Sequence, residues 1–282
     1  MVPPERWAIV LGASVGTGAA IARAVARDPG LHVFGVHRGH YADDAKALET
    51  EIRALGRHVH LRVGDAGDAE GARAGAAAVR EIAGPRSVAL VVHSLSGASL
   101  GHFLSPPGKT LEPRQFEKTF NYLAHSFVYW TRELFELDCL APSARVLGLT
   151  NLLHDSLLNN CGLIAASKAA LQMYVRHLAL ELGPHGHRVN LLKFGSIVTP
   201  ALARMLGAAG VERLERSMRE MIPAGRSCTY EDVGRIVSVL ARDEGEWFNG
   251  ATIDYTGGMT LRLLDIILQP EGDTNGPDRR RP

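Results

Sequence analysis

Short apolar runs alternate with longer segments of helical periodicity along most of the chain. The runs are typical of strands buried in a sheet, and they cover residues 7–11, 32–36, 59–63, 88–92, 145–149, 188–193 and 252–255. Apolar positions at helical spacing predict helices between them, one through Ile21 and Val25 and others over residues 43–55, 69–83, 113–136, 165–182 and 230–241. Strands that alternate with helices form parallel crossover units. The pattern therefore predicts an α/β fold, a single-domain doubly wound parallel sheet with helices on both faces.

Composition and charge narrow this picture only slightly. Of the 282 residues 46% are apolar, and no shift in composition marks a second domain. We predict one domain over residues 1–268, which includes a substrate lid over about residues 200–223, and a flexible tail over residues 269–282. The net charge of +1 gives no field to attract nucleic acid or acidic membranes. The chain has no long apolar stretch, no leader pattern and three scattered cysteines, so we expect a cytoplasmic protein.

A glycine-rich turn follows the first strand and opens the first helix. It reads Gly12-Ala13-Ser14-Val15-Gly16-Thr17-Gly18. A phosphate-bearing ligand must approach backbone amides at a helix N-terminus, where the helix dipole favours negative charge. Glycine permits the tight turn and keeps this approach free of side chains. The turn therefore predicts a Rossmann-type nucleotide site that includes Gly12, Ser14, Gly16 and Gly18.

Further motifs follow in the order of the short-chain dehydrogenase/reductase family, which this chain resembles over roughly residues 6–265. The spacing Gly-x3-Gly-x-Gly is similar to that of the family's nucleotide turn. The resemblance implies that Asp65 lies beside the adenine, that Lys168 is the catalytic lysine, and that Asn121 supports this lysine through water. It also implies cofactor contacts from Ser94 and from the loop that binds the nicotinamide carboxamide, namely Gly195, Ile197 and Thr199.

The catalytic tyrosine of that family is absent from both of its usual places. A tyrosine four residues before Lys168 would fall on Ile164, and one seven residues before it, as in the enoyl-acyl-carrier-protein reductase branch, falls on Cys161. The second register fits better, because it needs no gap and places Thr150 on a small hydroxylic residue. His93-Ser94 is also similar to that branch. The chain thus resembles the enoyl reductase branch with its catalytic tyrosine replaced.

Several groups are open as the proton donor. A phenol beside an ammonium can pass a proton to substrate, and an isoleucine cannot. The Cys161 thiol could act as acid or nucleophile, although most buried single cysteines only pack. Thr150 could orient a substrate carbonyl, and Lys168 could still bind the nicotinamide ribose. Water or a ribose hydroxyl could also donate, and further polar candidates are Asn159, Asn160, His154, Asp155 and Tyr122.

The end of the second strand bears on the choice of cofactor. An NAD enzyme places a carboxylate there to bind the ribose hydroxyls, whereas the segment Val36-His37-Arg38-Gly39 has none. Arg38 could pair with a 2′-phosphate, so we predict NADPH (NADP+) as the cofactor. The alternative is an ordinary surface arginine at a strand end. The twelve histidines lack the spacing of a metal site, and we predict no metal.

Together these features predict an NADPH-dependent oxidoreductase that reduces an enoyl or keto thioester-like lipophilic substrate with altered proton delivery. The substrate is expected to be a small molecule, of a fatty acyl or polyketide-like kind, which an acyl carrier could hold. No nucleic acid or membrane partner is expected, and the resemblance implies a homodimer or homotetramer. The alternatives are a non-redox NADPH-binding sensor or scaffold that has lost catalysis, and a different reaction on the same fold, such as a dehydration.

Overall fold

Seven strands form one parallel sheet within residues 5–104, 110–152, 158–259 and 261, which the computed structural model describes. The strands are β1 Trp7–Leu11, β2 His32–His37, β3 Val59–Val63, β4 Val88–His93, β5 Leu140–Thr150, β6 Arg188–Phe194 and β7 Thr252–Tyr255. Their order across the sheet is β3-β2-β1-β4-β5-β6-β7. The order reverses between β1 and β4, and ligands of such sheets bind at the carboxyl ends of strands beside that reversal.

The helices of the described residues are α1 Gly16–Arg27, α2 Ala42–Ala54, α3 Ala69–Ala83, α4 Pro113–Phe120, α5 Ser126–Glu136, α6 Gly162–Leu182, α7 Pro200–Met221 and α8 Tyr230–Leu240, with a π-helix over Asn121–His125 between α4 and α5. Helices α3, α5 and α6 pack together on one face, and α1 packs against α2 and α8 on the other. The predicted doubly wound α/β fold of Rossmann type, in a single domain, is confirmed.

The strands are buried because both faces of the sheet are covered. All residues of β1, β2 and β4 are buried, as continuous apolar strands of a parallel sheet should be. Successive side chains point to opposite faces. One set of alternate positions, with Ile9, Phe34 and Val91, joins the core with Phe127 and Trp130 of α5.

Most predicted element positions agree with the structure to within one or two residues. Strand β5 begins five residues earlier than predicted, at Leu140, and α6 begins three residues earlier, at Gly162. The helix predicted over residues 113–136 contains the π-helix. The segment predicted as a partly helical lid forms α7, which has a kink at Gly207. The predicted domain limits stay a prediction, and the tail over residues 269–282 lies outside the described residues.

By contacts between residues, the chain divides into two compact units. The first runs to Phe194 and resumes over Thr229–Asp254, and it contains α1 to α6 and α8. The second comprises Gly195–Cys228 and the segment that follows from Tyr255, and it contains α7. None of the described helices is both long enough and apolar enough to cross a membrane.

Helices α3 and α5 approach each other closely at Gly75. Trp130 is fully buried there, and its indole Nε1 donates to the Ala66 carbonyl over 3.0 Å. A Cβ atom at Gly75 would lie 2.0 Å from the Trp130 ring. A side chain at this position would therefore collide with one of the largest residues of the core.

Replacing Gly75 by alanine should lower the free energy of unfolding by about 1–3 kcal/mol, because overpacking outweighs the gain in helix propensity. Urea denaturation followed by circular dichroism measures this change. Ala74→Ser, at an exposed position of the same helix, is the control and should leave the midpoint nearly unchanged. Equal stability of Gly75→Ala and the parent would mean that Trp130 can move aside without cost.

Candidate functional site

The glycine-rich turn packs against the segment that follows β4. Gly12 has a φ of +88°, and its amide donates to the Val36 carbonyl over 2.9 Å. A Cβ atom at Gly12 would lie 2.6 Å from the Ser94 carbonyl oxygen. A Cβ atom at Gly18 would lie 2.0 Å from the Gly12 carbonyl oxygen, and Gly16 also has a positive φ, +62°. These glycines let β1 turn sharply into α1 beside β4.

The first turn of α1 has no side-chain cap. Val15 occupies the N-cap position in an extended conformation without a capping hydrogen bond, and no acidic residue lies in the first turn. Ser14, half-buried, precedes it. The first amides of a helix lack intrahelical partners and lie at the positive end of its dipole. This arrangement fits the phosphates of a dinucleotide, which the amides at the start of α1 would hold.

Lys168 is a buried cation at the carboxyl end of β5. It is 7% exposed, and its Nζ donates to the Leu149 carbonyl over 2.7 Å. An ammonium has three donors, so this bond leaves capacity for further acceptors such as ribose hydroxyls. Burial lowers the pKa of Lys168 to about 8. The lysine can therefore bind a ligand and also release a proton more easily than a surface lysine.

Thr150 follows Leu149 and ends β5. Its hydroxyl oxygen is buried and has no hydrogen-bond partner within the described ranges. A buried hydroxyl without a partner costs about 1–3 kcal/mol, so such a group is often completed by a ligand. Residues 153–157, with the candidates His154 and Asp155, lie outside the described residues. The structure thus places an unused hydroxyl next to the carbonyl that Lys168 binds.

His93 ends β4 and is almost fully buried. Its Nε2 lies 2.8 Å from the Ser126 hydroxyl, which in turn lies 3.4 Å from the Tyr122 carbonyl oxygen. Both hydrogen bonds form when Nε2 carries the proton and donates to Ser126, while Ser126 donates to the carbonyl. Burial, and secondarily the charge of Lys168, lowers the pKa of His93 to about 3. His93 is therefore neutral and links β4 to the start of α5.

Arg38 and Asp65 lie close to Tyr122, for which the sequence alone indicates no definite role. The guanidinium carbon of Arg38 is 5.4 Å from the centre of the Tyr122 ring. The Tyr122 hydroxyl donates to Asp65 Oδ2, and Asp65 Oδ1 accepts from the Gly67 amide over 2.8 Å. Burial, followed by Asp65, raises the pKa of Tyr122. The structure thus brings two predicted cofactor residues to one aromatic side chain.

Asn121 opens the π-helix. The Ser126 amide donates to the Asn121 carbonyl, five residues earlier, as a π-helical turn requires. Such turns occur mostly as single interruptions of α-helices and often at functional sites. The Asn121 side chain is half-buried. Its expected support of Lys168 through water stays a prediction.

Cys161 is the N-cap residue of α6. It is 7% exposed, and its Sγ lies 3.5 Å from the side-chain oxygen of Asn160. Seven residues separate it from Lys168, which places both on the same face of α6 about 10 Å apart along the helix axis. The catalytic role of Cys161 stays a prediction.

The predicted nicotinamide loop lies in the second compact unit. A Cβ atom at Gly195 would lie 3.2 Å from the Thr256 carbonyl oxygen. The Cys228 amide donates to the Ser196 carbonyl over 3.1 Å. The Thr199 carbonyl accepts from the Ala203 amide over 2.8 Å in the first turn of α7. The cofactor roles of Gly195, Ile197 and Thr199 stay predictions.

An apolar rim and a cavity lie around the start of α6. The Gly101 amide donates to the Asn160 carbonyl over 3.0 Å, and a Cβ atom at Gly162 would lie 2.7 Å from the Phe103 ring. A cavity of about 510 Å³ includes Asn160 and His102 in its lining. Large apolar side chains are more than half exposed in this region, namely Leu100 at 61%, Phe103 at 52%, Leu104 at 95% and Leu158 at 63%.

A group of possible metal ligands lies at the amino ends of β1, β2 and β3, opposite the candidate site. Glu5 Oε1 is 3.8 Å from His32 Nε2 and 3.6 Å from His58 Nε2. The His58 amide donates to His32 Nδ1 over 3.0 Å. Nδ1 is therefore an acceptor, and neutral His32 carries its proton on Nε2. A metal-binding histidine normally donates from its second nitrogen, so the tautomer of His32 does not suit a metal at this position.

The family model described as Enoyl-(Acyl carrier protein) reductase matches residues 12–260. A dehydrogenase of Cochliobolus heterostrophus is 40% identical over 101 residues, which cover 36% of this chain and 44% of that protein. The enoyl-[acyl-carrier-protein] reductase [NADH] FabI of Escherichia coli is 26% identical over 155 residues, which cover 54% of this chain and 56% of that protein. The chain thus spans about half the length of these two curated relatives. The crystal structure of a short chain dehydrogenase from Burkholderia cenocepacia in complex with NADP has a TM-score of 0.74 and 26% identity, and the match covers 91% of this chain and 98% of that one.

His93 should remain neutral from pH 5 to pH 8, because burial and the nearby Lys168 charge hold its pKa at about 3. The protonation of histidine rings is measured by the pH dependence of their NMR signals, and His93→Asn assigns the signal by its loss. A His93 signal that shifts with a midpoint near the ordinary pKa of about 6.5 would contradict the prediction.

Proposed function

Because the chain belongs to the short-chain dehydrogenase/reductase family, we propose that it is an NADPH-dependent reductase of an enoyl or keto thioester-like lipophilic substrate. The single observation that carries this proposal is the buried ammonium of Lys168 at the carboxyl end of β5. Its charge lies at the edge of the sheet where the uncapped helix α1 would hold the phosphates.

Lys168 has two tasks in the proposed reaction. Its free N–H groups hold the ribose hydroxyls of the cofactor, as the lysine can do without a tyrosine. It is also the proton source that replaces the phenol. Its pKa of about 8 leaves it mainly protonated at neutral pH and able to give up that proton in a dry site. We therefore assign the role of proton donor to Lys168 and not to Cys161, which lies two helical turns from the lysine.

Thr150 orients the substrate. Its buried hydroxyl can donate a hydrogen bond to a thioester carbonyl, which places the carbonyl oxygen near the Leu149–Lys168 pair. When bound, NADPH would supply the hydride for the carbon that is reduced. Thr150 stabilises the negative charge that develops on the substrate oxygen. A proton from Lys168 then converts the enolate of an enoyl substrate to the enol, which tautomerises to the saturated thioester, or converts the alkoxide of a keto substrate to the alcohol; in both cases Lys168 becomes a neutral amine. Solvent returns the proton to Lys168 before the next turnover.

The cavity at Asn160 has a mixed lining, which includes Leu100, His102 and Arg114. Support for an apolar substrate comes from the exposed apolar surface of Leu100, Phe103, Leu104 and Leu158. Such a surface suits an acyl chain, either free or held by a carrier. In the predicted lid, Val211, Leu214 and Met218 are half-buried, whereas the side chains of Leu202 and Met205 lie outside the described residues. We also propose, from the family resemblance, that the protein acts as a homodimer or homotetramer. The apolar residues Leu171, Val175 and Leu182 of α6 pack in the core of the chain itself, so they do not support this proposal.

The proposed cofactor is NADPH rather than NADH. Arg38 is exposed directly after β2, and no acidic residue stands beside it in the segment 36–39. The Burkholderia cenocepacia enzyme was crystallised with NADP, whereas FabI carries NADH in its name. The choice therefore depends on Arg38 of this chain, whose planar guanidinium can bind a 2′-phosphate in a bidentate manner.

NADPH should bind at least about tenfold more tightly than NADH, since about 1.4 kcal/mol of differential pairing with Arg38 is sufficient. Titration of the protein with each reduced cofactor, followed by cofactor fluorescence, gives both dissociation constants. Arg38→Ala should remove the preference. Arg27→Ala, at an exposed position elsewhere on the surface, is the control and should preserve it. Equal affinities in the parent protein would refute the NADPH assignment.

Turnover of enoyl and keto thioesters with NADPH should depend on Lys168. The protonated fraction of a group with a pKa of about 8 falls as the pH rises through that value, so kcat/KM should fall above about pH 8. Lys168→Ala should abolish turnover and weaken NADPH binding by about 1.5–3 kcal/mol, through loss of a charge-assisted hydrogen bond. Cys161→Ala should leave binding nearly unchanged.

Lys168→Arg is the matched variant, because it keeps the positive charge but cannot release a proton near neutral pH. It should bind NADPH better than Lys168→Ala does and still lack turnover. An active Lys168→Arg, or a rate that is independent of pH up to 10, would exclude Lys168 as the proton donor. No oxidation of NADPH with any thioester of the panel would refute the proposed reaction.

A further inference from the structure

Tyr122 occupies a narrow space at the carboxyl edge of the sheet. It lies in the π-helix and is 8% exposed. A Cβ atom at Gly67 would lie 2.7 Å from its ring, and one at Gly97 would lie 2.9 Å from it. The two glycines therefore hold the ring from two sides, and the packing leaves it little freedom to turn. Packing against these two glycines therefore sets the position of the Tyr122 ring.

The two polar neighbours of Tyr122 are the residues that the cofactor proposal uses. The Arg38 guanidinium lies 5.4 Å from the ring centre, within the range of a cation–π contact. Arg38 is exposed, so without this contact its side chain would sample many rotamers. The ring surface restricts that freedom and leaves the guanidinium edge available for a ligand.

The hydroxyl of Tyr122 fixes the second neighbour. It donates to Asp65 Oδ2, while the Gly67 amide donates to Asp65 Oδ1 over 2.8 Å. Both carboxylate oxygens thus have partners, and the orientation of Asp65 is set before any ligand binds. Ordering of a binding residue in the free protein lowers the entropic cost of binding.

We infer that Tyr122 is a specificity-determining residue, whose ring positions Arg38 for the 2′-phosphate of the cofactor and whose hydroxyl positions Asp65 on the adenine side. This inference rests on the proposed NADPH binding. The ring affects the relative affinity for NADPH and NADH, since only NADPH carries the 2′-phosphate that Arg38 would bind. The hydroxyl acts mainly on the binding of both cofactors, since its stronger partner is Asp65, on the side of the adenine that both share; Arg38 is a weaker partner of the same hydroxyl.

Two substitutions of Tyr122 separate these effects. Tyr122→Leu removes the ring, and the ratio of the NADH to the NADPH dissociation constant should fall about two- to fivefold, as loss of an exposed cation–π contact implies. Tyr122→Phe keeps the ring and the packing between Gly67 and Gly97. It should weaken the binding of both cofactors and change their ratio less than Tyr122→Leu does, since Arg38 is only the weaker partner of the hydroxyl. Fluorescence titrations give the constants, and thermal melting confirms that each variant is folded.

The Arg38→Ala background shows whether the ring acts through Arg38. There, Tyr122→Leu should produce no further change in the ratio, because the partner of the ring is gone. If Arg38→Ala itself leaves the ratio unchanged, the proposed cofactor preference fails, and the inference with it. If Arg38→Ala lowers the ratio and Tyr122→Leu does not, the inference alone is overturned.

Two further outcomes also count against the inference. Tighter binding of both cofactors by Tyr122→Leu would mean that the ring stands where the adenosine must lie. An equal fall in the ratio for Tyr122→Leu in the parent and in the Arg38→Ala background would mean that the ring acts on the phosphate independently of Arg38. Should Tyr122→Leu fail to fold, Tyr122→Phe still tests the shared effect through Asp65, and Tyr122→Met, which lacks the ring but has a flexible side chain that can fill the space between Gly67 and Gly97, tests the ratio.

Discussion

The parallel pairing of β1 with β4 is the constraint on which the candidate site depends. In this register Leu11 lies beside His93, and on its other side Leu11 pairs with Val36 of β2. The chain therefore leaves three neighbouring strands at one level of the sheet. The turn at Gly12, the segment at Ser94 and the end of β2 meet there because the strands end together. The close approach of Gly12 to the Ser94 carbonyl is a direct result of that alignment.

The fold could be predicted because the burial of a parallel sheet leaves a strong pattern in the sequence. Strands β1, β3 and β7 and helix α3 have the predicted limits. The early start of β5 could not be predicted, because Leu140 is followed by Pro142 and Ser143, which interrupt the apolar run. The π-helix gives no periodic signal of its own within one turn. Where a strand begins or ends depends on the residues with which its last positions pair, and these residues are distant in sequence.

For the candidate site, the sequence predicted residue types better than their contacts. The glycine-rich turn, Arg38 and Lys168 carry a recognisable spacing, and each lies at the carboxyl edge of the sheet. The sequence does not reveal the role of Tyr122, because an aromatic residue in a helix usually packs in the core. Its contacts come from Gly67 and from residues after two different strands, which only the folded chain brings together. The missing partner of the Thr150 hydroxyl is likewise a property of burial and not of any local motif.

The π-helix also makes the length of this segment a structural requirement. Each residue of an α-helix rotates the chain by about 100°, and a π-turn accommodates one residue more than an α-turn. Tyr122 faces Asp65 at the start of the π-helix, whereas Ser126 faces His93 directly after it and Trp130 faces Gly75 one turn later. Deletion of one residue between 121 and 125 would turn the two parts of the helix against each other by about a quarter of a revolution, so that one set of contacts would be lost. Natural variants of this stretch should therefore vary in residue identity far more readily than in the number of residues.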